Sequence, residues 1–278
     1  MAIGFADISE YQGNVDWSKY PHPAVAIRAT DGTYVDKKLK QNQAGARSKG
    51  LGIWYYHFKE ASTSATVQAD AMLAAIGTLQ AGESIVLDDE NQATTNASFA
   101  AEFASRIKAR TGLKTLIIYA SQGKIVSGAS LAAAGYVGWV ANWGANNGSN
   151  NNVVPSVAGL KTVAKQFTSN GSLAGISGRV DIDVFYGTIQ EFKALGASTT
   201  TTISSGGSTS TPSSKYATIQ NGSSGQLVAN LQGFLNKVYP AYSKLVVDGK
   251  FGPATTSVVK QFQSRSGITA DGIVGPTT

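Results

Sequence analysis

The sequence contains no cysteine. That single absence removes disulfides, thiolate metal ligands and a cysteine nucleophile together. It does not choose a compartment, because a chain without thiols suits oxidising and reducing surroundings alike. Histidine is nearly as scarce, with only His22 and His57. A zinc hydrolase draws on at least two His ligands when no Cys helps. His22 lies in the Pro-bounded "YPHPA" and His57 ends an apolar run, so no metal site is expected. A Ser-His-Asp triad would need one of the same two residues, and no serine sits in a G-x-S-x-G elbow. No apolar run approaches the roughly 18 residues of a membrane span, so membrane insertion is not expected. The opening "MAIGFADISEYQG" has neither a basic flank nor a long apolar stretch. It does not read as a secretory signal, and the expectation is synthesis in the cytoplasm followed by release or export by another route.

Charge is also sparse, at 14% of residues, and unevenly spread. Residues 1–195 hold 17 Lys and Arg against 15 Asp and Glu, whereas residues 196–278 hold 6 against 2. The C-terminal third is therefore the more basic part per residue, and it suits an anionic polymer. No dense Lys/Arg cluster marks a nucleic-acid surface, so a bacterial wall is the better candidate and no nucleic-acid partner is expected. The oligomeric state is not legible, and a monomer is the working expectation.

What is present is enough for two domains in 278 residues, of which 42% are apolar. The stretch "GASTTTTISSGGSTSTPSSK", residues 196–215, is almost wholly Ser, Thr, Gly and Ala. It has too little apolar surface to offset ordering entropy and reads as a flexible linker. It separates a domain of residues 1–195 from one of residues 216–278.

The first domain alternates strand-like and helix-like segments. Strands are expected at 3–9, 24–30, 51–58, 84–90, 115–121, 135–143, 160–167 and 178–185. Helices are expected near 36–49, 62–80, 96–111 and 187–195, with a weaker one at 122–134. Eight strands separated early on by helices imply an α/β fold, a (β/α)-type barrel. The regular fold averages about 250 residues, so this barrel is expected to be compact and irregular. Active sites in such barrels sit at the C-terminal ends of the strands. Asp7, Thr30, His57, Asp88–Glu90, Tyr119, Asn142 and Gln166 end strand candidates, and the eighth carries Asp181 and Asp183.

The fourth strand, "SIVLDDENQ", runs into three consecutive acids. Strand side chains alternate between faces. Val86, Asp88 and Glu90 share one face, and Leu87 and Asp89 the other. If Asp88 and Glu90 face the barrel axis, Asp89 faces the helices or solvent. Asp7 shares a face with Phe5 on the first strand. Acids from three strands then converge at one end. Two nearby carboxylates in unlike environments are the equipment of a glycosidase, one protonated to serve the leaving oxygen and one ionised to stabilise the sugar's developing charge. Mutual repulsion raises one pKa and a hydrogen-bonding partner holds the other down.

These residues also stand in a familiar order. "ADISEYQGNVDW" (6–17), "IRATDGTYVD" (27–36), "GIWYYHF" (52–58), "VLDDEN" (86–91) and "GRVDIDVFYG" (178–187) resemble glycoside hydrolase family 25. Its members are lysozymes, N-acetylmuramidases that cut the glycan of bacterial peptidoglycan. The resemblance spans residues 3–192. It implies Glu90 as proton donor, Asp88 as the paired carboxylate, and Asp7 and Asp181 as the first- and last-strand acids. Tyr56 and Tyr119 match aromatic positions lining the groove, and Trp139 and Gln166 fall in matching late-strand segments. It implies cleavage between N-acetylmuramic acid and N-acetylglucosamine with retention, and it needs no metal or organic cofactor. Asp88 attacking the sugar and Asp88 orienting the substrate's own acetamido group both remain open. Two positions depart from the family's pattern. Arg28 stands where Lys is frequent, and Asp183 where Asn is common.

Residues 216–278 carry an internal repeat, "VDGKFGPATTS" (247–257) and "ADGIVGPTT" (270–278). Asp-Gly suits a tight turn, Gly252 and Gly275 are expected to use positive φ, and Pro253 and Pro276 suit a first helical turn. Helices are expected over 226–239 and 254–267, the second burying Val258, Val259 and Phe262. The pattern resembles the small three-helix peptidoglycan-binding domain of wall hydrolases, with its last helix absent or very short. The whole chain then reads as a wall-cleaving enzyme with a wall-binding module, of a kind suited to a phage or prophage endolysin. Two alternatives stay open. A chitinase-like glycosidase would share the D-x-E pair but not the flanking motifs, and a non-catalytic glycan-binding protein would be expected to have lost one of the four acids.

Overall fold

A computed structural model of the protein describes residues 2–195, 218–265 and 269–275. The chain divides into two compact units, Met1–Thr202 and Ile203–Thr278. The Ser/Thr/Gly-rich stretch 196–215 and Pro276 lie outside the described residues.

The first unit is a closed eight-stranded barrel. Its strands are β1 (Ile3–Ile8), β2 (Ala24–Asp31), β4 (Gly52–Phe58), β5 (Glu83–Asp88), β6 (Leu116–Ser121), β7 (Tyr136–Ala141), β8 (Thr162–Gly171) and β9 (Val180–Phe185), with a short β3 (Tyr34–Val35) hairpinned onto β2. Pairing runs β1-β2-β4-β5-β6-β7-β8-β9 and closes from β9 back to β1. Strands such as "AVAIRAT" are buried throughout and largely apolar because both faces are covered, one by the barrel interior and one by helices. The helices α1 (Leu39–Ser48), α2 (Ala65–Ile76), α3 (Ala97–Thr111) and α4 (Gly128–Ala133) follow strands β3, β4, β5 and β6, and α5 (Ile189–Ala194) follows β9. All eight expected strands and all five expected helices of this unit are present. The 122–134 segment splits into a 3-10 turn, Gln122–Lys124, and the short α4.

One topological point was not legible. β9 runs antiparallel to both of its neighbours, β1 and β8, while the other barrel pairings are parallel. Asp181 therefore reaches the acid cluster from the start of its strand. The register sets it directly against Asp7.

The barrel interior is layered. Phe5, Trp54, Trp139 and Phe185 form an aromatic floor, and Phe192 from α5 closes it from below. Phe192 stacks on Trp54 with ring centroids 4.2 Å apart and planes 6° apart. A Cβ at Gly52 would lie 2.8 Å from the Phe192 ring, so only glycine admits this plug. Thr188 and Glu191 form a reciprocal capping box that starts α5. With the floor sealed, inward positions one pleat higher open on the other end only.

The second unit packs α6 (Gln226–Val238) and α7 (Pro253–Arg265) around Val228, Leu235, Phe251, Val258 and Val259, with Phe262 partly buried against them. Pro253 is the first residue of α7, as its missing N–H favours. The repeat is structural. Gln232 donates to the Asp248 carboxylate and the Lys250 carbonyl and accepts from Gly249 N–H. Gln263 donates to Asp271 and the Ile273 carbonyl and accepts from Gly272 N–H. Within the repeat the glycines at positive φ are Gly249 (69°) and Gly272 (79°) of the Asp-Gly pairs, not Gly252 and Gly275. The turn itself demands the left-handed residue, and the glycine before Pro253 only precedes the helix.

Candidate active site

A single open cleft gathers the inward residues at the C-terminal ends of the parallel strands. Asp7, Arg28, Tyr56, Asp88, Glu90, Tyr119, Trp139, Gln166 and Asp181 line it, joined by Ser9, Tyr11, Gln12 and Phe58. The space within it, part of it open to solvent, is about 610 Å³. All eight residues expected at the site are thus brought together. The inward parity of Val86 and Asp88 is confirmed by Val86 lying in the interior aromatic layer, two residues below Asp88.

Asp89 points the other way, but not into solvent. It is wholly buried, its Oδ1 2.5 Å from the Lys59 ammonium, itself only 2% exposed. Its Oδ2 accepts from Asn96 N–H at the start of α3. The backbone around it is tied on both sides, by Lys59 N–H to the Asp88 carbonyl and by Asp89 N–H to the Tyr119 carbonyl. Asp89 therefore anchors the loop that carries Glu90. Thr30 and His57, at their strand ends, also face outward. His57 is buried between the Thr30 hydroxyl (2.7 Å) and Gln68 (2.8 Å), and stacks on Phe103. Asn142 donates to Gln122.

The cleft acids are positioned by donors. Gln166 donates to Asp7 Oδ2 at 2.9 Å, and Tyr119 and Trp143 each donate to its side-chain oxygen Oε1, at 2.8 and 2.6 Å. Trp139 forms part of the floor, and its Nε1 donates to Asp183 at 2.8 Å. Arg28 is held from behind by Asp36 and Glu10, and Tyr11, four-fifths exposed, lies over its guanidinium. Lys124 donates to the Glu90 carbonyl.

Crowding so many carboxyls in a desolvated cleft raises their pKa values. Burial is the main cause for each, because it disfavours the charged form. Asp7 is pushed well above the usual carboxylate range by burial and by Asp181, against the hydrogen bonds from Gln166 and Asp183. Asp88 is pushed well above it by burial, then by Glu90 and Asp7. Glu90, less deeply placed, is raised by burial and Asp181, while Lys124 pulls it down. Asp181 is raised to about 6 by burial, a hydrogen bond with Asp7 opposing. The cluster thus holds protons to higher pH than isolated carboxyls would. That is the condition under which one carboxyl serves as an acid beside an ionised partner.

Sequence reasoning gave no site role to Ser9, Tyr11, Gln12, Arg28 and Phe58 of the cleft lining, nor to Trp143, which holds Gln166. Tyr11 sits inside the quoted "DISEYQG", but an exposed aromatic on a 3-10 turn has no periodicity to mark it. Arg28 was visible only as a departure. Trp143, in "GWVANW", emerges as the donor that fixes Gln166 because the turn after β7 folds it back over β8.

Comparison with known proteins agrees with this geometry. Residues 6–176 match the family described as glycosyl hydrolases family 25, and residues 224–278 match a peptidoglycan binding domain family. Lysozyme M1 of Streptomyces globisporus is 30% identical over 69% of this chain and 71% of its own length. The crystal structure of a bacterial lysozyme from Streptomyces coelicolor superposes with a TM-score of 0.60 at 27% identity, over 70% of this chain and 96% of that one. The zinc D-Ala-D-Ala carboxypeptidase of Streptomyces albus G is 46% identical over 61 residues, 22% of this chain and 24% of its own. On the match across residues 6–176 and the barrel that carries it, the chain belongs to glycosyl hydrolases family 25 and is a glycoside hydrolase, a muramidase.

Proposed function

We propose that the enzyme hydrolyses the β-1,4 bond between N-acetylmuramic acid and N-acetylglucosamine in peptidoglycan, with retention, and that its C-terminal unit holds it to the wall. The observation that carries this reading is the pairing of Glu90 at the lip of the cleft with Asp88 beneath it, both with raised pKa values, above a sealed aromatic floor. Glu90 keeps a proton for the leaving oxygen. Positive charge developing on the sugar favours the anion of Asp88, so the pair separates into acid and carboxylate as the bond breaks. Asp88 then serves either as nucleophile or as the group that orients the substrate's acetamido. Asp7 and Asp181 maintain the negative field, and Tyr56, Tyr119, Trp139 and Gln166 shape the sugar site. A phage or prophage endolysin acting on the wall after release from the cytoplasm is the biological setting that fits an enzyme module joined to a wall-binding module.

Digestion of purified peptidoglycan with analysis of the new ends tests the reaction. New reducing muramic acid is expected. New reducing glucosamine, new amines or no products would each replace this reading with another. The anomer first released, followed by NMR, tests retention. Glu90→Gln should abolish cleavage, by about 10³-fold or more, with an unchanged fold.

A further inference from the structure

The catalytic reading uses Asp7, Asp88, Glu90 and Asp181. A fifth carboxyl, Asp183, lies under them, and that reading gives it no task. Asp183 is 1% exposed and does not line the cleft. It stands opposite Phe5 on one side and Gln166 on the other, with Asp7 as its diagonal neighbour on the same inward face. Oδ1 accepts from Trp139 Nε1 at 2.8 Å. Oδ2 is buried, and no N–H or hydroxyl donor reaches it. The register on the inward face sets Asp7 diagonally beside Asp183, and the two carboxyls interact. Two carboxylate oxygens cannot satisfy each other; one must carry a hydrogen.

We propose that Asp183 is a positioning residue that works protonated: Oδ1 accepts from Trp139, the Oδ2 hydroxyl donates to Asp7, and the pair holds one proton and one negative charge. Asp7, fixed by this donor and by Gln166, is thereby aimed into the cleft. Asp181 on the same strand adds negative charge, and Gln166 from β8 and Trp139 from β7 are neutral donors. The phenols near Asp183 are Tyr119 from β6, committed to Gln166, and Tyr20, committed to the Ala24 carbonyl. Among the described residues no Lys, Arg or His forms an ion pair with Asp183. Burial, then Asp7 and Asp181, push its pKa well up.

Two variants separate this role from simple packing. Asp183→Asn keeps an acceptor for Trp139 and an N–H for Asp7 but cannot titrate; Asp183→Leu keeps neither. The first measurement is thermal unfolding followed by tryptophan fluorescence. All four tryptophans (Trp17, Trp54, Trp139 and Trp143) lie in the barrel unit, so the signal reports that unit alone. A protonated buried Asp183 binds a proton that the unfolded chain releases above a pKa of about 3.9, so the wild type loses stability as pH rises from there to the folded pKa. Asp183→Asn is free of this loss. Its folding equilibrium constant should gain on wild type by about tenfold per pH unit over that window. A difference that stays flat between pH 4 and 8 would overturn the proposal. The second measurement, which rests on the catalytic reading, is kcat and KM on peptidoglycan. Asp183→Leu should lose about 10- to 100-fold in kcat with little change in KM, and Asp183→Asn should recover most of it and extend activity to higher pH. Full kcat in Asp183→Leu would overturn the positioning role. If wild type fails to cut peptidoglycan, the catalytic reading fails, while the unfolding series still decides the state of Asp183.

Discussion

Asp88, Asp89 and Glu90 are adjacent, and the barrel gives each a different medium. Asp89 is buried against a buried ammonium, so it is a structural charge. Asp89→Asn leaves the Lys59 ammonium without its counter-ion, and breaking a buried pair this way costs about 3–5 kcal/mol. Chemical denaturation should show that loss, in contrast to Glu90→Gln, which should lose activity and keep its stability. Asp181 bears on pH. Its folded pKa, raised to about 6, exceeds the unfolded value of about 3.9, so its contribution is fully present below the unfolded value and is lost as pH rises through about 6. The melting-temperature gain of Asp181→Asn over wild type should therefore appear between pH 4 and 6 and be level by pH 7–8. Activity follows the same sign, since Glu90 must keep its proton and its raised pKa carries the acid form toward neutrality.

Among the elements, α5 and β9 do most to define the cleft. Phe192 is fully buried and stacked on Trp54. Phe192→Ala should cost about 3–5 kcal/mol by removing the plug and leaving a cavity beneath the floor. Calorimetry on the barrel transition measures it. In the second unit the paired glutamines take the place of a larger core. Gln232→Leu would leave the Gly249 N–H without a partner and the Lys250 carbonyl with the Gly252 N–H alone, and a cost of about 1–3 kcal/mol is expected in denaturant titration of that unit's transition. Both elements illustrate what periodicity conveys. The pattern located α5, α6 and α7 to within a few residues, because apolar spacing is a local property. It placed the positive-φ glycines at Gly252 and Gly275 rather than at Gly249 and Gly272, because the choice depends on which turn the glutamine clamp closes.

At the scale of the whole molecule, the two units have separate apolar cores. A chain ending at residue 195 should retain cleavage of short soluble glycan fragments and lose activity on intact walls. Tethering raises the effective substrate concentration and does not alter the chemistry, so the loss on walls should be about 10- to 100-fold. Comparing turnover on the two substrates tests this. Wall activity of the full chain should also fall with ionic strength more steeply than that of the truncated one, since residues 196–278 carry 6 basic against 2 acidic residues.

The sequence by itself determined the strand and helix count of the barrel, the two-domain plan, the inward parity of Val86 and Asp88 and the identity of the four cleft acids. These follow from alternation, apolar spacing and motif order, which neighbouring residues carry among themselves. The tertiary structure alone decided the rest. It turned β9 antiparallel so that Asp181 meets Asp7, buried Asp89 against Lys59, folded Trp143 onto Gln166, and set Asp183 beneath Asp7 with no ion-pair partner among the described residues. Each depends on partners 20 to 180 positions apart in the chain. The protonation of a carboxyl is fixed by the medium such partners create.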